Sequence, residues 1–417
     1  MGSKYGLLGE KLSHSVSPQI HTEFGNKDYV LFEVLKNNIK DFLKDPDLKG
    51  LNVTIPYKQT VIEYCDSIDK SAYEIGSINT MKRDKAGIWR GYNTDYFGFL
   101  YMTRCAGISF LGQNVLILGS GGVSKTAQAA AKKEGADSIK VVSRNGEYNY
   151  SNLEKCKDAT IIVNATPVGM YPNIEESLID LDNFPNVYAV VELIYNPCRT
   201  ALVQQAIKKG ILYTQGFQML VAQAKYAHEI FFDKKISSEE MVRVGSKLQG
   251  ECENIVLVGM PGSGKSTIGK IVSKLSQKEV YDSDEEIVKK YKKSIPEIFK
   301  EDGEKVFRQM EYEVIKELSR KRGVIIITGG GAVTTDENEK LLKANGRIYQ
   351  IVRATQNLEK DGRPLSISGD LEQMAKIRMP LYDRFANVKI SNDNVSPQEA
   401  AEEIWREFCE YTCNQWA

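Results

Sequence analysis

The stretch Gly259-Met260-Pro261-Gly262-Ser263-Gly264-Lys265-Ser266 has the spacing G-x-x-x-x-G-K-[ST] and follows the apolar run Ile255 to Val258. A loop of this kind wraps phosphate oxygens in backbone N–H groups. Its lysine reaches the β and γ phosphates, and its hydroxyl binds magnesium. A different glycine turn lies far upstream. Gly119, Gly121 and Gly122 stand between the apolar segment Val115 to Leu118 and a helical pattern that starts near Ser124. There the glycines let the backbone turn tightly against a pyrophosphate at a helix N-terminus. One chain therefore carries two nucleotide-binding turns of different chemistry.

The next apolar segment after the first turn ends Val141-Val142-Ser143-Arg144, with no Asp or Glu to hold a ribose diol. A cation at that place suits a 2′-phosphate and so favours NADP over NAD; an idle surface arginine is the competing reading. Three polar clusters precede it: Ser15 and Ser17 in SHSVSP, Asn52, Thr54 and Lys58 in NVTIPYK, and Asn93, Thr94 and Asp95 in GYNTD. Singly each reads as turn formers, a helix cap or a surface lysine. Together they fit carbonyl reduction. Two hydroxyls one residue apart can share a carboxylate, Lys58 can protonate the nascent alkoxide, and Asp95 can orient the ammonium. A free lysine titrates near ~10.4; burial would lower that value and Asp95 would oppose the shift. Such acid–base help is worth roughly 10²–10⁴-fold.

Beyond the second turn, Asp282 and Asp284 form a D-x-D pair just after KEVY, the expected second strand of that unit. Asp282 is placed to serve magnesium through water, and Asp284 to contact an accepting hydroxyl as base or as orienting group. Arg308, on a helical pattern, and Arg378 can each grip a carboxylate bidentately; salt bridges on a surface are the alternative. Gly329, Gly330 and Gly331 end the strand VIIIT. Arg363, in a loop-like stretch, is placed to arrive with lid closure over a triphosphate.

The elements that must hold these residues alternate between short apolar strands and helical patterns, which makes the chain α/β. With 417 residues it is too long for one core, and ~150 residues per domain suggests about three domains. The expected divisions are 1–95, completed by helices from about 217–245; 96–216, a doubly wound sheet; 217–253, terminal helices and linker; and 254–417, a further α/β unit. The charged stretch Asp233 to about Glu253, with Gly245 and Gly250 in its second half, reads as a final helix plus linker. Charge is balanced, 55 basic against 55 acidic residues, so nothing calls for a nucleic-acid or acidic-membrane partner. No apolar run approaches the ~18 residues that span a bilayer, and the opening MGSKYGLLGEKL holds no export-type apolar stretch. Seven scattered cysteines without a C-x-x-C pair agree with a reducing cytoplasm; Cys409 and Cys413, one helical turn apart, read as incidental thiols before metal ligands.

Residues 1 to about 245 resemble shikimate dehydrogenase across their length, through SHSVSPQIH, NVTIPYK, GSINT, NTD, GSGGVSK, NATPVGM, YNPCRT and GFQMLVAQA. From about Asn254 the chain resembles shikimate kinase, through GMPGSGKSTIGK, YDSDEEI, IPEIF, GEKVFRQMEYE, TGGGAV, GRPL and RMPLY. The resemblance implies a two-domain dehydrogenase, with an α/β substrate domain and a Rossmann NADP domain, fused to a P-loop kinase α/β domain with a parallel sheet. It implies that Ser15, Ser17, Thr54, Asn79, Tyr195 and Gln223 hold the carbonyl substrate, with Lys58 and Asp95 as catalytic pair. Gly119, Ser120, Gly121, Gly122, Val123, Arg144, Thr166, Leu193 and Gly216 would line NADP. In the kinase, Asp284, Arg308, Gly330 and Arg378 would hold shikimate. Gly262, Ser263, Gly264, Lys265, Ser266, Thr267 and Arg363 would serve ATP, with Lys265, Asp284 and Arg363 catalytic, and Ser266 and Asp282 would serve Mg2+. Reduction of 3-dehydroshikimate to shikimate would precede phosphorylation of the same hydroxyl, in a monomer or homodimer.

This chain departs from the families' patterns at several positions. SRNGEYNY lacks a second basic residue after Arg144, Glu192 stands where aspartate is usual, Tyr92 and Tyr96 flank Asp95, and Ser366 replaces a second leucine after GRPL. A quinate-type dehydrogenase with NAD preference fused to a kinase, and a non-catalytic shikimate-sensing regulator, are the rival readings.

Overall fold

A computed structural model describes residues 3–12, 15–358 and 371–416. Three sheets follow one another along the chain. The first takes β1 (Lys4–Gly9), β2 (Tyr29–Glu33), β3 (Leu48–Val53), β4 (Ser67–Ile68), β5 (Thr80–Arg83) and β6 (Trp89–Tyr92) in the order β2-β1-β3-β5-β6-β4. It is mixed: β1 runs parallel to β2 and β3, whereas β5 runs antiparallel to β3 and β6.

The second sheet takes β7 (Asn114–Leu118), β8 (Ser138–Val142), β9 (Ile161–Asn164), β10 (Ala189–Glu192) and β11 (Leu212–Tyr213) in the order β11-β10-β9-β7-β8, all parallel. Alternation in β7 explains its position. Val115 and Ile117 pack into one apolar layer and Leu116 and Leu118 into the opposite one. Chain order reverses between β7 and β9, so the turns at Gly119 and Thr166 flank the crevice where doubly wound sheets bind ligands.

The third sheet takes β12 (Asn254–Val258), β13 (Val280–Asp282), β14 (Ile325–Ile327), β15 (Gly346–Val352) and β16 (Val388–Ser391) in the order β13-β14-β12-β15-β16, again all parallel. Its central strand alternates like β7, with Ile255 and Leu257 on one face and Val256 and Val258 on the other. The Gly259 loop leaves the C-terminal end of that strand and enters helix Lys265–Ser276.

The stretch expected as helix plus linker is different. Helix Ser238–Cys252 runs through it, and Glu253 alone separates that helix from β12. The two glycines that suggested a linker are packing sites. A Cβ at Gly245 would stand 2.5 Å from the ring of Trp416, and Gly250 faces Thr412. Trp416, from the far end of the body built on the third sheet, is 2% exposed among Phe217, Met241, Val244 and Leu248, and its Nε1 donates to Gln249 Oε1 at 2.7 Å. The two bodies are therefore docked on each other. Trp416→Ala should cost about 3–5 kcal/mol of unfolding free energy, the range for removing a fully packed tryptophan. Urea unfolding of the whole chain followed by fluorescence and circular dichroism checks this; a loss below about 1 kcal/mol would show the contact to be idle.

Candidate active sites

Helix Asp95–Cys105 begins where β6 ends and packs against helix Gly216–Phe232; a Cβ at Gly98 would meet Met219 O at 2.7 Å. That close approach sets Asp95 over the ends of β3 and β5. Lys58, beyond β3, donates from Nζ to Asp95 Oδ2 at 2.6 Å, with side chains only 17% and 9% exposed. Asn79 Nδ2 donates to Asp95 Oδ1 at 2.8 Å and, more weakly, to Gln223 Oε1 at 3.4 Å, while Thr94 N–H donates to Asn79 Oδ1 at 2.7 Å. The carboxylate is thus held from both oxygens, and Lys58 is aimed by one of them.

Other residues expected in this site converge on the same ground. Ser15 donates to Ser17 Oγ at 3.1 Å and receives the Ser17 N–H at 3.2 Å, so the two hydroxyls lie side by side. Thr54 continues β3 by donating its N–H to Leu8 O at 3.0 Å. Tyr195 and Val16 pack against one apolar cluster on helix Gly216–Phe232, the helix that carries Gln223. Behind Asn79 lies a buried relay: Tyr29 Oη donates to Asn52 Oδ1 at 2.8 Å, and Asn52 Nδ2 to Thr80 Oγ1 at 3.1 Å.

The dinucleotide turn faces this cluster. Gly119 adopts φ +100° and its missing side chain makes room for Thr166 and Ala165. Ser120 and Gly121 are exposed, and Gly122 and Val123 open helix Gly122–Lys133. A Cβ at Gly122 would sit 3.7 Å from Lys58 Cδ, so the cofactor turn and the lysine share one cleft. Arg144 is exposed just beyond β8, without an ion-pair partner among the described residues.

Glu192 forms the floor. It is fully buried, and burial pushes its carboxyl up to about 7. It accepts from Asn164 Nδ2, Thr200 Oγ1 and the Ile194 N–H, while Asn164 Oδ1 in turn accepts from Thr166. Leu193 follows directly. Gly216 is needed beside it, because a Cβ there would lie 2.2 Å from Leu193 O.

The second site is a cavity of about 390 Å³ that joins Lys265 and Ser266 of the phosphate loop to Asp282, Asp284, Arg308, Gly330 and Arg378. Gly262, Ser263 and Gly264 complete the loop, and Thr267 lies exposed in the first turn of the following helix. Lys265 Nζ donates to Gly259 O at 2.8 Å and Met260 O at 3.0 Å. Arg308 lies flat on Gly331, where a Cβ would stand 2.3 Å from its nitrogens, and donates to Glu311 Oε2 at 2.7 Å. Arg378 Nη1 donates to Gly330 O at 3.1 Å. A Cβ at Gly329 would lie 2.5 Å from Asp284 Oδ1, so the glycine run makes room for the charged groups around it. Arg363 lies outside the described residues.

Ser266 Oγ donates to Asp282 Oδ2 at 3.2 Å. Two hard oxygens that close fit a magnesium ion whose other ligands are phosphate and water. Among the described residues no group of three His, Cys, Asp or Glu could hold a metal by protein ligands alone.

Sequence reading missed three contributors. Glu311 is buried beneath Arg308, and burial pushes it up to about 7 with Asp284 adding repulsion and Arg308 opposing; its i,i+3 spacing from Arg308 was the available signal. Asn392 donates to Ser263 O at 2.8 Å and Arg353 to Gly262 O at 3.4 Å, holding the phosphate loop from far along the chain.

Fold and sites define a nucleotide-dependent oxidoreductase followed by a P-loop phosphotransferase. A family model described as shikimate dehydrogenase substrate binding domain matches residues 7–81, and one described as shikimate kinase matches residues 261–409. The chain belongs to the shikimate dehydrogenase family and carries a shikimate kinase domain behind that enzyme. It is 37% identical over 259 residues to the shikimate dehydrogenase (NADP(+)) of Clostridium perfringens, covering 57% of this chain and 95% of the relative. The crystal structure of shikimate dehydrogenase 1 from Peptoclostridium difficile superposes with TM-score 0.55 at 35% identity, over 59% of this chain and 97% of that one. The shikimate 5-dehydrogenase of Thermus thermophilus, solved in complex with NADP(H) and shikimate, gives TM-score 0.52 at 26% identity, over 59% and 99%.

Proposed function

We propose that the chain reduces 3-dehydroshikimate to shikimate with NADPH and then phosphorylates the 3-hydroxyl with ATP. The observation that carries this reading is the Lys58–Asp95 pair, held at 2.6 Å beside the dinucleotide turn. Residues 1–95 with the helices of about 217–245 hold the carbonyl substrate, 96–216 the dinucleotide, and 254–417 the kinase chemistry.

NADPH, when bound, supplies the hydride that reaches C3. Ser15 and Ser17 take the substrate carboxylate between their neighbouring hydroxyls, and Thr54, Asn79, Tyr195 and Gln223 fix the ring. The Lys58 ammonium gives a proton to the oxygen on C3, and Asp95 keeps that ammonium aimed. Gly119 to Val123 take the pyrophosphate, Thr166, Leu193 and Gly216 line the rest of the dinucleotide's path, and Arg144 reads the 2′-phosphate.

In the kinase, Arg308 and Arg378 grip the shikimate carboxylate, Gly330 closes on the ring, and Asp284 orients the 3-hydroxyl and draws off its proton. Ser266 and Asp282 would hold magnesium, which would neutralise charge on the ATP phosphates. Residues Gly262 to Thr267 wrap those phosphates, Lys265 follows the transferring charge, and Arg363 completes the set. The seven cysteines are unpaired and no described helix is long and apolar enough to cross a membrane, which supports work in the cytoplasm.

Separate assays test the reading: NADPH oxidation that requires 3-dehydroshikimate, and ADP formation that requires shikimate. Faster turnover of quinate with NAD would favour the quinate-type reading, and ligand binding without turnover the regulator. Arg144→Ala should raise KM for NADPH about ten-fold or more, the loss of charge-assisted hydrogen bonds to a phosphate, and leave NADH within about two-fold. Equal losses with both would remove Arg144 from the 2′-phosphate site.

A further inference from the structure

The segment that follows β10 faces two ways. Leu193 and Tyr195 belong to the dehydrogenase site proposed above. A few residues later, Cys198 and Arg199 are bonded to the kinase body. The Arg199 guanidinium is buried. Its Nε donates to Lys343 O at 2.7 Å, its Nη2 to Gly346 O at 2.9 Å, and its Nη1 to Glu253 Oε1 at 2.6 Å and Tyr411 Oη at 3.0 Å. The Arg199 N–H donates to Ala344 O at 2.9 Å, and the Cys198 N–H to Asn345 Oδ1 at 2.9 Å.

Lys343 and Ala344 are in the last turn of helix Asp336–Asn345, whose terminal carbonyls have no partner within the helix. Arg199 satisfies two of them and places a cation at the negative end of the helix dipole. A dehydrogenase arginine thus caps a kinase helix. Its charge is met by Glu253, fully buried at the junction of the two bodies.

The same segment is tied to the cofactor floor. Thr200, next to Arg199, donates to Glu192 Oε2 at 2.7 Å, and Glu192 also takes the Ile194 N–H at 3.0 Å. Residues 194 and 200 therefore share one buried carboxylate, and Tyr195 lies between them. Kinase charge also reaches Tyr195: burial pushes its phenol up, and Arg322 of the kinase body pulls it back.

We propose that Arg199 is a positioning residue through which the docked kinase fixes the segment bearing Leu193 and Tyr195, so that full affinity of the dehydrogenase for its carbonyl substrate depends on the kinase body. This rests on the assignment of Tyr195 to the substrate site.

Steady-state kinetics of the full chain test it. Arg199→Met alone would leave Glu253 buried and unpaired, so the informative variant is Arg199→Met with Glu253→Gln. It should raise KM for 3-dehydroshikimate about ten-fold, with kcat changed less than about three-fold and both kinase KM values within about two-fold. Arg199→Lys, which keeps the charge but not the fork, should fall between parent and double variant. Asn345→Ala, which removes the acceptor of the Cys198 N–H together with a hydrogen bond to Ser319 O at 3.2 Å, should raise the dehydrogenase KM about three-fold from inside the kinase body. Should the double variant fail to fold, Asn345→Ala decides. Variants that melt within a few degrees of the parent, yet keep its KM for 3-dehydroshikimate within about two-fold, would reduce the contact to adhesion and overturn the proposal. A parent unable to reduce 3-dehydroshikimate at all would instead overturn the substrate reading beneath it.

Discussion

Lys58→Ala should abolish reduction of 3-dehydroshikimate, with kcat/KM falling roughly 10²–10⁴-fold or more, and leave ATP-dependent phosphorylation of supplied shikimate in place. Two losses combine in that number. The alkoxide forming on C3 has no proton donor, and Asp95 keeps its Asn79 hydrogen bond but loses the ammonium 2.6 Å away. Water that enters the space left by the lysine donates without fixed geometry, which recovers part of the proton transfer and little of the orientation. Kinase activity in the same preparation reports folding, because Trp416 and Arg199 tie the two bodies together. A Lys58→Ala protein with reductase kcat/KM within ten-fold of the parent would remove Lys58 from the chemistry.

Lys265→Ala should have the converse effect. Kinase kcat should fall about 10²–10³-fold, the scale for deleting one preorganised donor to a developing negative charge, and NADPH-dependent reduction should continue. The lysine is poised for this. It is buried, and its Nζ donates to the carbonyls of Gly259 and Met260 at the mouth of the loop. Those carbonyls keep the cation close to where β and γ phosphates lie, so little reorganisation attends binding. Both activities assayed on each variant form a crossed pair. If either single change removes both activities from a folded protein, the two sites are not separable.

The parts of the sites legible in the sequence were those with short-range spacing. The phosphate loop, the D-x-D pair and the glycine turn after β7 each fit within a few residues, and the local geometry that makes them useful is local in sequence too. Lys58 and Asp95 were legible as residue types, while their pairing depends on β3, β5 and β6 lying side by side. Glu311 escaped notice because its weight comes from burial under Arg308; the i,i+3 spacing marks a pair on one helix face and says nothing of how deeply it lies. Asn392 and Arg353 escaped because their contacts to the phosphate loop span most of the kinase sheet.

The stretch before β12 shows the same limit from the other side. Gly245 and Gly250 lower helix propensity and so suggested a linker. Burial of Trp416 against Gly245 outweighs that preference, and the glycine is what admits the ring. The docking of the two bodies was invisible for a related reason: Arg199 sits in YNPCRT, a stretch already assigned to the front enzyme through Tyr195, while its own partners lie in the rear one.

The most direct measurement supplies the chain alone with 3-dehydroshikimate, ATP, magnesium and NADPH deuterated at the transferred position, and reads the product by mass spectrometry and NMR. The expected product is shikimate 3-phosphate with one deuterium on C3, the carbon whose oxygen bears the phosphate. Shikimate that accumulates without phosphate, or phosphorylation only of added shikimate while 3-dehydroshikimate stays untouched, would contradict it.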